Sequence, residues 1–342
     1  MTKLSIVFTG PKYRDYCLNY AINHMAKIFT GCEIIVATND NHLISSIRNN
    51  PLVNTIVATG DIGELPSLKF PIHDSCITNN NINKQRECCL QGIDSASNNL
   101  ILRIRTDQIL LNDRILELWN IVEKYPKLTL KKGRILTSSI FSINPRYSER
   151  MPYHISDMLQ LGYKEDLISY FSAPEYSFEY ATWYERNPHT QTSNKFEKSF
   201  RSKFAVEQWL ALHYIFGCEK KFPIAFHNNC SKDIIKEFEN TFIDYFAIGH
   251  PSDIGLRANK FKNYESYYNT QCYSTYEVLN MLDAKYATNF ASSTPYKSKG
   301  IPKKYFNKLM PIIYSSLAQF VIKKISKNQK EKIKKILNDL TH

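Results

Sequence analysis

Four short apolar runs, LSIVFTG, EIIVATND, NTIVATGD and LILRIRTDQIL, recur through the first third of the chain, and the stretches between them read as helices. In DYCLNYAINHMAKIF, Cys17/Leu18, Ala21/Ile22 and Met25 fall three to four residues apart before Gly31 stops the pattern. NHLISSIRNN predicts a short helix, and the polar stretch Thr78 to Asn83 precedes a helix carrying Gln85, Arg86 and Cys89. Strand and helix repeated in this way predict an α/β chain with a mostly parallel sheet covered by helices. In such sheets ligands bind beyond the carboxyl ends of the strands, near a topological switch point. Thr9, Gly10, Thr38, Asn39, Asp40, Thr59 and Asp107 all fall at predicted strand ends.

Farther along, Leu116 to Tyr125 is helical in pattern and RILTSSIFSI is strand-like. The segment from Asn144 to Glu185 mixes Pro, Gly, aromatic and charged residues and predicts site-forming loops. FAVEQWLALHYIF has helical spacing, and FIDYFAIGHPSDIG predicts a late strand and turn. After about residue 262 the chain is rich in Tyr, Asn and Ser, and from Ile301 it is basic and helical in pattern.

At 342 residues, with 43% hydrophobic and 22% charged, the chain has the make-up of a globular protein that can bury a sizeable core. Its eight cysteines include no CxxC pair, so free thiols in a reducing compartment are expected rather than a disulfide framework or zinc site. The apolar start is too short for a signal-peptide core, and no run reaches the eighteen or so apolar residues of a membrane-spanning helix. A cytoplasmic location follows as the expectation. The net charge of +12 favours anionic partners: nucleotide phosphates, lipid surfaces or nucleic acid. No zinc-finger spacing, RNP-like aromatic motif or helix-turn-helix signal accompanies the charge, so nucleic acid is not the expected partner; a basic membrane-surface or nucleic-acid binding protein is the alternative outside the enzymes.

LILRIRTDQIL carries the strongest local chemistry. Alternation along one strand puts Arg103, Arg105 and Asp107 on one face. A carboxylate at a strand end can hold Mg or Mn bridging nucleotide phosphates, and guanidinium groups can neutralise phosphate oxygens directly; a solvated ion pair is the plainer alternative. Gln85 and Arg86 can reach such a ligand from the preceding helix, or belong to a solvated helix face. In PYHISD, Asp157 is either an N-cap or a base for a hydroxyl proton. Glu207 opens the helix of VEQWLALHY, where it also complements the helix dipole, and His250 and Asp253 lie in a turn after a strand.

The stretch NNINKQRECCLQGIDSASNNLILRIRTDQIL, with GRILTSSIFSINPR and MPYHISDMLQLG, resembles the WavE-type lipopolysaccharide-synthesis family over roughly residues 1 to 260. That resemblance implies a GT-A-like, Rossmann-type fold with an acceptor-side insert and a helical C-terminal extension. It implies a nucleotide-sugar-dependent glycosyltransferase building lipopolysaccharide core, O-antigen or capsule, with a glycan or glycolipid acceptor. A polyol-phosphate or other phosphoryl-linked transferase is the alternative within the same chemistry. Residues 1–130 would bind the donor, 131–262 would complete the domain on the acceptor side, and 263–342 would form a basic helical extension. Thr9, Gly10, Gln85, Arg86, Arg103, Arg105 and Asp107 become donor-binding candidates, Asp157 and Glu207 rival catalytic bases, and Asp107 with His250 candidate metal ligands. Asp107 matches the last acid of the GT-A metal motif, but Arg105 stands where the first acid belongs, which weakens the expectation of Mg or Mn.

The last forty residues join the mainly apolar LMPIIYSSLAQFVI to a lysine-rich tail. Too short to span, this stretch can lie on the anionic inner face of the cytoplasmic membrane or pack as an ordinary amphipathic helix.

Overall fold

The computed structural model describes residues 3–71, 79–147, 149–194, 197–218, 221–261 and 264–296, with seven further residues between 324 and 332. The basic C-terminal stretch, and with it the expected membrane contact, lies outside the described residues apart from those seven.

The chain runs β1 (Leu4–Thr9), α1 (Leu18–Ile28), β2 (Glu33–Thr38), α2 (Asn41–Ile47), β3 (Thr55–Ala58), α3 (Ile82–Asp94), β4 (Leu100–Arg105), β5 (Gln108–Leu110) and α4 (Arg114–Val122). It continues through β6 (Ile135–Ser138), β7 (Leu159–Tyr163), α5 (Lys164–Phe171), α6 (Phe178–Ala181), α7 (Val206–Phe216) and α8 (Lys232–Tyr245). The last described elements of regular length are β8 (Phe246–Gly249), α9 (Pro251–Ile254), β9 (Leu256–Ala258), α10 (Glu265–Gln271) and α11 (Thr275–Tyr286).

Seven strands form one sheet in the order β3-β2-β1-β4-β7-β6-β8, and β7 alone among them runs antiparallel to its neighbours. The mostly parallel, helix-flanked sheet expected from the strand and helix alternation is therefore present. Its physical signature is in the strands: all six residues of β1 are buried, as a strand covered on both faces requires. Helix α1 answers with Leu18, Ala21, Ile22 and Met25 buried on one stripe.

The chain moves outward from β1 to β2 and β3, then returns through α3 to place β4 on the other side of β1. This reversal is the switch point, and register pairs Thr9 with Arg105 at its mouth. Helix α3 can sit close to the sheet because Gly92 has no side chain. A Cβ there would lie 2.7 Å from Ala37 Cβ and 2.9 Å from Val7 Cγ1.

Two expectations need correction. LILRIRTDQIL is not one strand: β4 ends at Arg105, Thr106 and Asp107 turn the chain, and β5 leaves to pair with β9. The segment from Asn144 to Glu185 is not all loop, because it supplies β7, inserted between β4 and β6, and α5 behind it. Its mixed composition hid LQLGY, whose first four residues are buried.

The region after residue 262 also contributes packed structure. Ser274 and Glu277 form a reciprocal cap at the start of α11, and Val278, Leu279 and Leu282 are buried. Asp283 then accepts from the backbone of Phe290 and Ala291, tying down the chain that follows.

Candidate functional site

The crevice beside the ends of β1 and β4 gathers most of the polar residues singled out in the sequence. Gly10 leaves β1 with φ +130°, and a Cβ there would come within 2.9 Å of Thr106 Oγ1. Glycine therefore lets the β1 exit and the β4 turn touch. Arg105 and Asp107 meet across that turn as a two-pronged pair: Nε donates to Oδ1 and Nη2 to Oδ2, each at 2.9 Å. Nη2 also donates to Tyr13 Oη at 2.8 Å. Nη1 has no hydrogen-bond partner among the described residues, and the side chain keeps 19% exposure. Burial opposes the charge on Arg105, but the paired Asp107 outweighs it and the guanidinium is held firmly protonated. A fixed cation with one free edge is suited to phosphate oxygens.

Arg103, two residues earlier, has a different place from the one expected on that common face. It is 2% exposed, with Nε donating to Thr9 Oγ1 at 2.7 Å and Nη1 to Gln160 Oε1 at 3.2 Å and to the Asp157 carbonyl. Thr9 is likewise buried, and its hydroxyl holds Arg103. Both residues thus act from beneath the crevice, because their positions lie within strands covered on both sides. What they position is Asp157.

Asp157 reaches the site through β7. Antiparallel pairing sets the start of β7 against the end of β4, with Leu159 opposite Ile104 and Gln160 opposite Arg103. The residue two positions before Leu159 therefore emerges beside Arg105. The Asp157 side chain caps no helix, which removes the N-cap alternative; its Oδ2 accepts from Gln85 Nε2 at 2.6 Å. Gln85 is delivered by α3, seated by Gly92. Arg86, its neighbour, lies 3.7 Å from Glu175, and its buried Nε has no hydrogen-bond partner among the described residues.

Glu207 arrives from the first turn of α7. That turn is fixed by Gln208, whose Oε1 accepts from Ala205 N and whose Nε2 donates to the carbonyls of Pro152 and His227. Pinning α7 to the Pro152 loop brings Glu207 Oε2 within 3.4 Å of His154 Nε2. His154 Nδ1 faces the Phe141 carbonyl at 2.8 Å, so Nδ1 carries the hydrogen and Nε2 offers its lone pair in the neutral ring. Burial keeps His154 neutral by lowering its pKa. The Glu207 carboxyl is pushed up to about 8, first by burial and then by the charge of Asp157, with Lys69 and Arg105 opposing.

The two rivals for the base thus stand in one place, close enough that the charge of Asp157 helps to raise the Glu207 pKa. A Glu207 that keeps its proton can donate a hydrogen bond beside Asp157, whose side chain already accepts one from Gln85. Sequence spacing had no means of pairing residues fifty positions apart. It also missed three contributors: Tyr13 in the β1 exit, His154 as the partner of Glu207, and exposed Lys69, whose charge is felt by Glu207 and His154.

His250, a candidate metal ligand, caps α9: its Nδ1 lies 2.8 Å from Ser252 Oγ and its Nε2 2.6 Å from Asn269 Oδ1. Asp107 has both oxygens engaged by Arg105. Among the described residues no group of three or more His, Cys, Asp or Glu side chains could hold a metal ion. The donor set therefore does not fit a divalent ion held between Asp107 and His250, since a guanidinium sits where the cation would bind Asp107. Among the described residues no helix is long and apolar enough to cross a membrane.

No curated protein matches the chain. Solved structures with some likeness include TarS of S. aureus, at 10% identity, TM-score 0.35, and coverage of 71% of this chain and 39% of that one. The glycosyltransferase GlyE of Streptococcus pneumoniae TIGR4 aligns at 14% identity, TM-score 0.28, over 48% of this chain and 35% of that one. Glucosyl-3-phosphoglycerate synthase of Mycobacterium tuberculosis, solved with Mn2+, uridine diphosphate and glucosyl-3-phosphoglycerate, aligns at 12% identity and TM-score 0.35 over 88% and 83%. The chain thus spans little more than a third of the length of the first two structures, and likeness at this level fixes neither donor nor acceptor. The family comparison is of another kind: residues 5–316 match the model described as WavE lipopolysaccharide synthesis, and with nearly the whole chain matched, the protein belongs to that family.

Proposed function

We propose that the chain is a glycosyltransferase that moves a sugar from a nucleotide-sugar donor to a surface glycan acceptor of the lipopolysaccharide core, O-antigen or capsule type. The observation that carries this reading is the convergence of Asp157 and Glu207 with the Arg105–Asp107 pair at the switch-point crevice. Residues 1–130 would supply most of the donor side, and 131–262 the acceptor side. The lysine-rich C-terminal stretch offers a way to approach a lipid-linked acceptor at an anionic inner leaflet.

In this mechanism Arg105 meets the donor diphosphate through Nη1, held rigid by Asp107 and Tyr13. Charge grows on the leaving phosphate as the bond to the anomeric carbon breaks, and a fixed guanidinium lowers the energy of that charge more than of the ground state. Asp157, aimed by Gln85 and by Arg103 under its backbone, removes the acceptor hydroxyl proton as the oxygen attacks from the face opposite the nucleotide. Glu207, protonated, donates to the same acceptor and excludes a second negative charge from the pocket. The outcome is inversion at the anomeric carbon. No step requires a divalent ion bound by Asp107.

A thermal-shift panel of nucleotide mono- and diphosphates and their sugars, on wild type and Arg105→Ala, tests the reading. Stabilisation by one nucleotide class, lost in the variant, is the expected result, because a ligand bound only by the native state raises its stability. A folded wild type that responds to no nucleotide would sink it.

A further inference from the structure

Beside Glu207 lies a group of four aromatic rings that the chemistry above does not use. Phe141 meets Phe261 edge-on at 5.1 Å between ring centroids, Tyr267 at 5.7 Å and Tyr264 at 6.3 Å. Phe261 and Tyr264 are themselves 5.6 Å apart. The group is not sealed: Tyr264 is 46% exposed, whereas Phe261 is 9%.

Three further features connect this surface to the site. Phe141 has φ +67°, a left-handed conformation that is strained for a residue with a Cβ and persists only where its surroundings impose it. The same residue's carbonyl accepts the Nδ1 hydrogen of His154, so the backbone that presents the ring also sets the ring that faces Glu207. Tyr267 donates to Glu149 Oε2 at 2.8 Å, and both lie close enough to act electrostatically on the pair, Tyr267 with Glu207 and Glu149 with His154. A half-open aromatic face bordered by a carboxylate, next to the His154–Glu207 pair, has the chemistry that holds a sugar ring: aromatic carbon against its C–H face and carboxylate oxygens against its hydroxyls.

We propose that Phe141, Tyr264 and Tyr267, with Glu149 at their edge, form the subsite for a sugar ring of the glycan acceptor. This rests on the transferase reading for its direction, since the ring seated there would present a hydroxyl toward Asp157. The subsite itself is defined by carbohydrate binding, which is measured separately.

The test is saturation-transfer NMR with oligosaccharides released by mild acid from purified lipopolysaccharide, on wild type, Tyr264→Ala and Tyr264→Phe. Tyr264 is on the surface, and an unchanged melting temperature together with an unchanged thermal shift by nucleotide shows that each variant is folded with its donor side intact. The expected result is ring C–H signals in wild type and Tyr264→Phe, and affinity about five- to tenfold weaker in Tyr264→Ala, the size of a lost aromatic stacking contact. Equal affinity in Tyr264→Ala, or no oligosaccharide signal from a wild type that responds to nucleotide, overturns the subsite. Oligosaccharide binding that depends on Tyr264 in a protein without nucleotide response keeps the subsite and rejects the transferase reading, so the two can fail apart.

Discussion

Replacing Glu207 by Gln isolates the electrostatics of the paired carboxyls. In the native protein the Glu207 proton is held up to about pH 8, by burial first and by Asp157 second. In the unfolded chain the same group releases its proton near pH 4.3, roughly the value of a free glutamate. Between those values the native state binds more protons than the unfolded state, so the favourable contribution of this group is fully present below the lower value. It is lost as pH rises through the higher one. The slope is about 1.4 kcal/mol per pH unit, so pH 5.5 to 8.5 carries at most about 3.4 kcal/mol, which we reduce to about 2–3 kcal/mol for relaxation around a side chain that keeps 17% exposure. Unfolding entropy of about 2.1 cal/mol/K per residue over this length converts each kcal/mol to about 1.4 °C, or a relative shift of about 3–4 °C. Glu207→Gln cannot ionise and loses this pH dependence. Differential scanning calorimetry of both proteins at pH 5.5, 7 and 8.5 should show wild type falling relative to the variant by that amount. Parallel melting temperatures across the range would refute the raised pKa of Glu207 and, with it, its role as a proton-bearing donor in the site.

Asp157→Asn should lower the transfer rate about 10²- to 10⁴-fold while leaving the thermal shift by nucleotide intact, because it removes the base and keeps the shape. Arg105→Ala should abolish the nucleotide response and destabilise the fold by about 3–5 kcal/mol, since Asp107 at 5% exposure is left buried beside no cation; Arg105→Lys should recover little of either, lacking the fork that grips both oxygens. Chelation with EDTA should leave nucleotide binding within about twofold of its untreated value, measured by calorimetry, because Arg105 already occupies both Asp107 oxygens. Gly92→Ala should cost about 1–3 kcal/mol in denaturant unfolding, because the added methyl would drive α3 away from Ala37 and Val7.

The amino-acid sequence by itself determined the α/β frame and the mouth of the crevice. Apolar runs such as LSIVFT declare strands covered on both faces, helical spacing between them demands crossovers, and together they put Thr9, Gly10 and Asp107 at strand ends without reference to anything distant. The family likeness was legible for the same reason, since it lies in local motifs. Tertiary structure alone decided which charged groups face the crevice and which support it. Arg103 and Arg105 are equivalent by alternation, yet one lies under the sheet's cover and the other stands at its end beside a turn. Asp157 and Glu207 are both unremarkable acids in the chain, and the raised pKa of Glu207 comes from β7 pairing beside β4, which brings Asp157 near, and from Gln208 pinning α7 to the Pro152 loop, which buries it. Secondary structure is written in neighbours along the chain, whereas a pKa depends on burial and on charges in contact through space, which only the folded arrangement brings together.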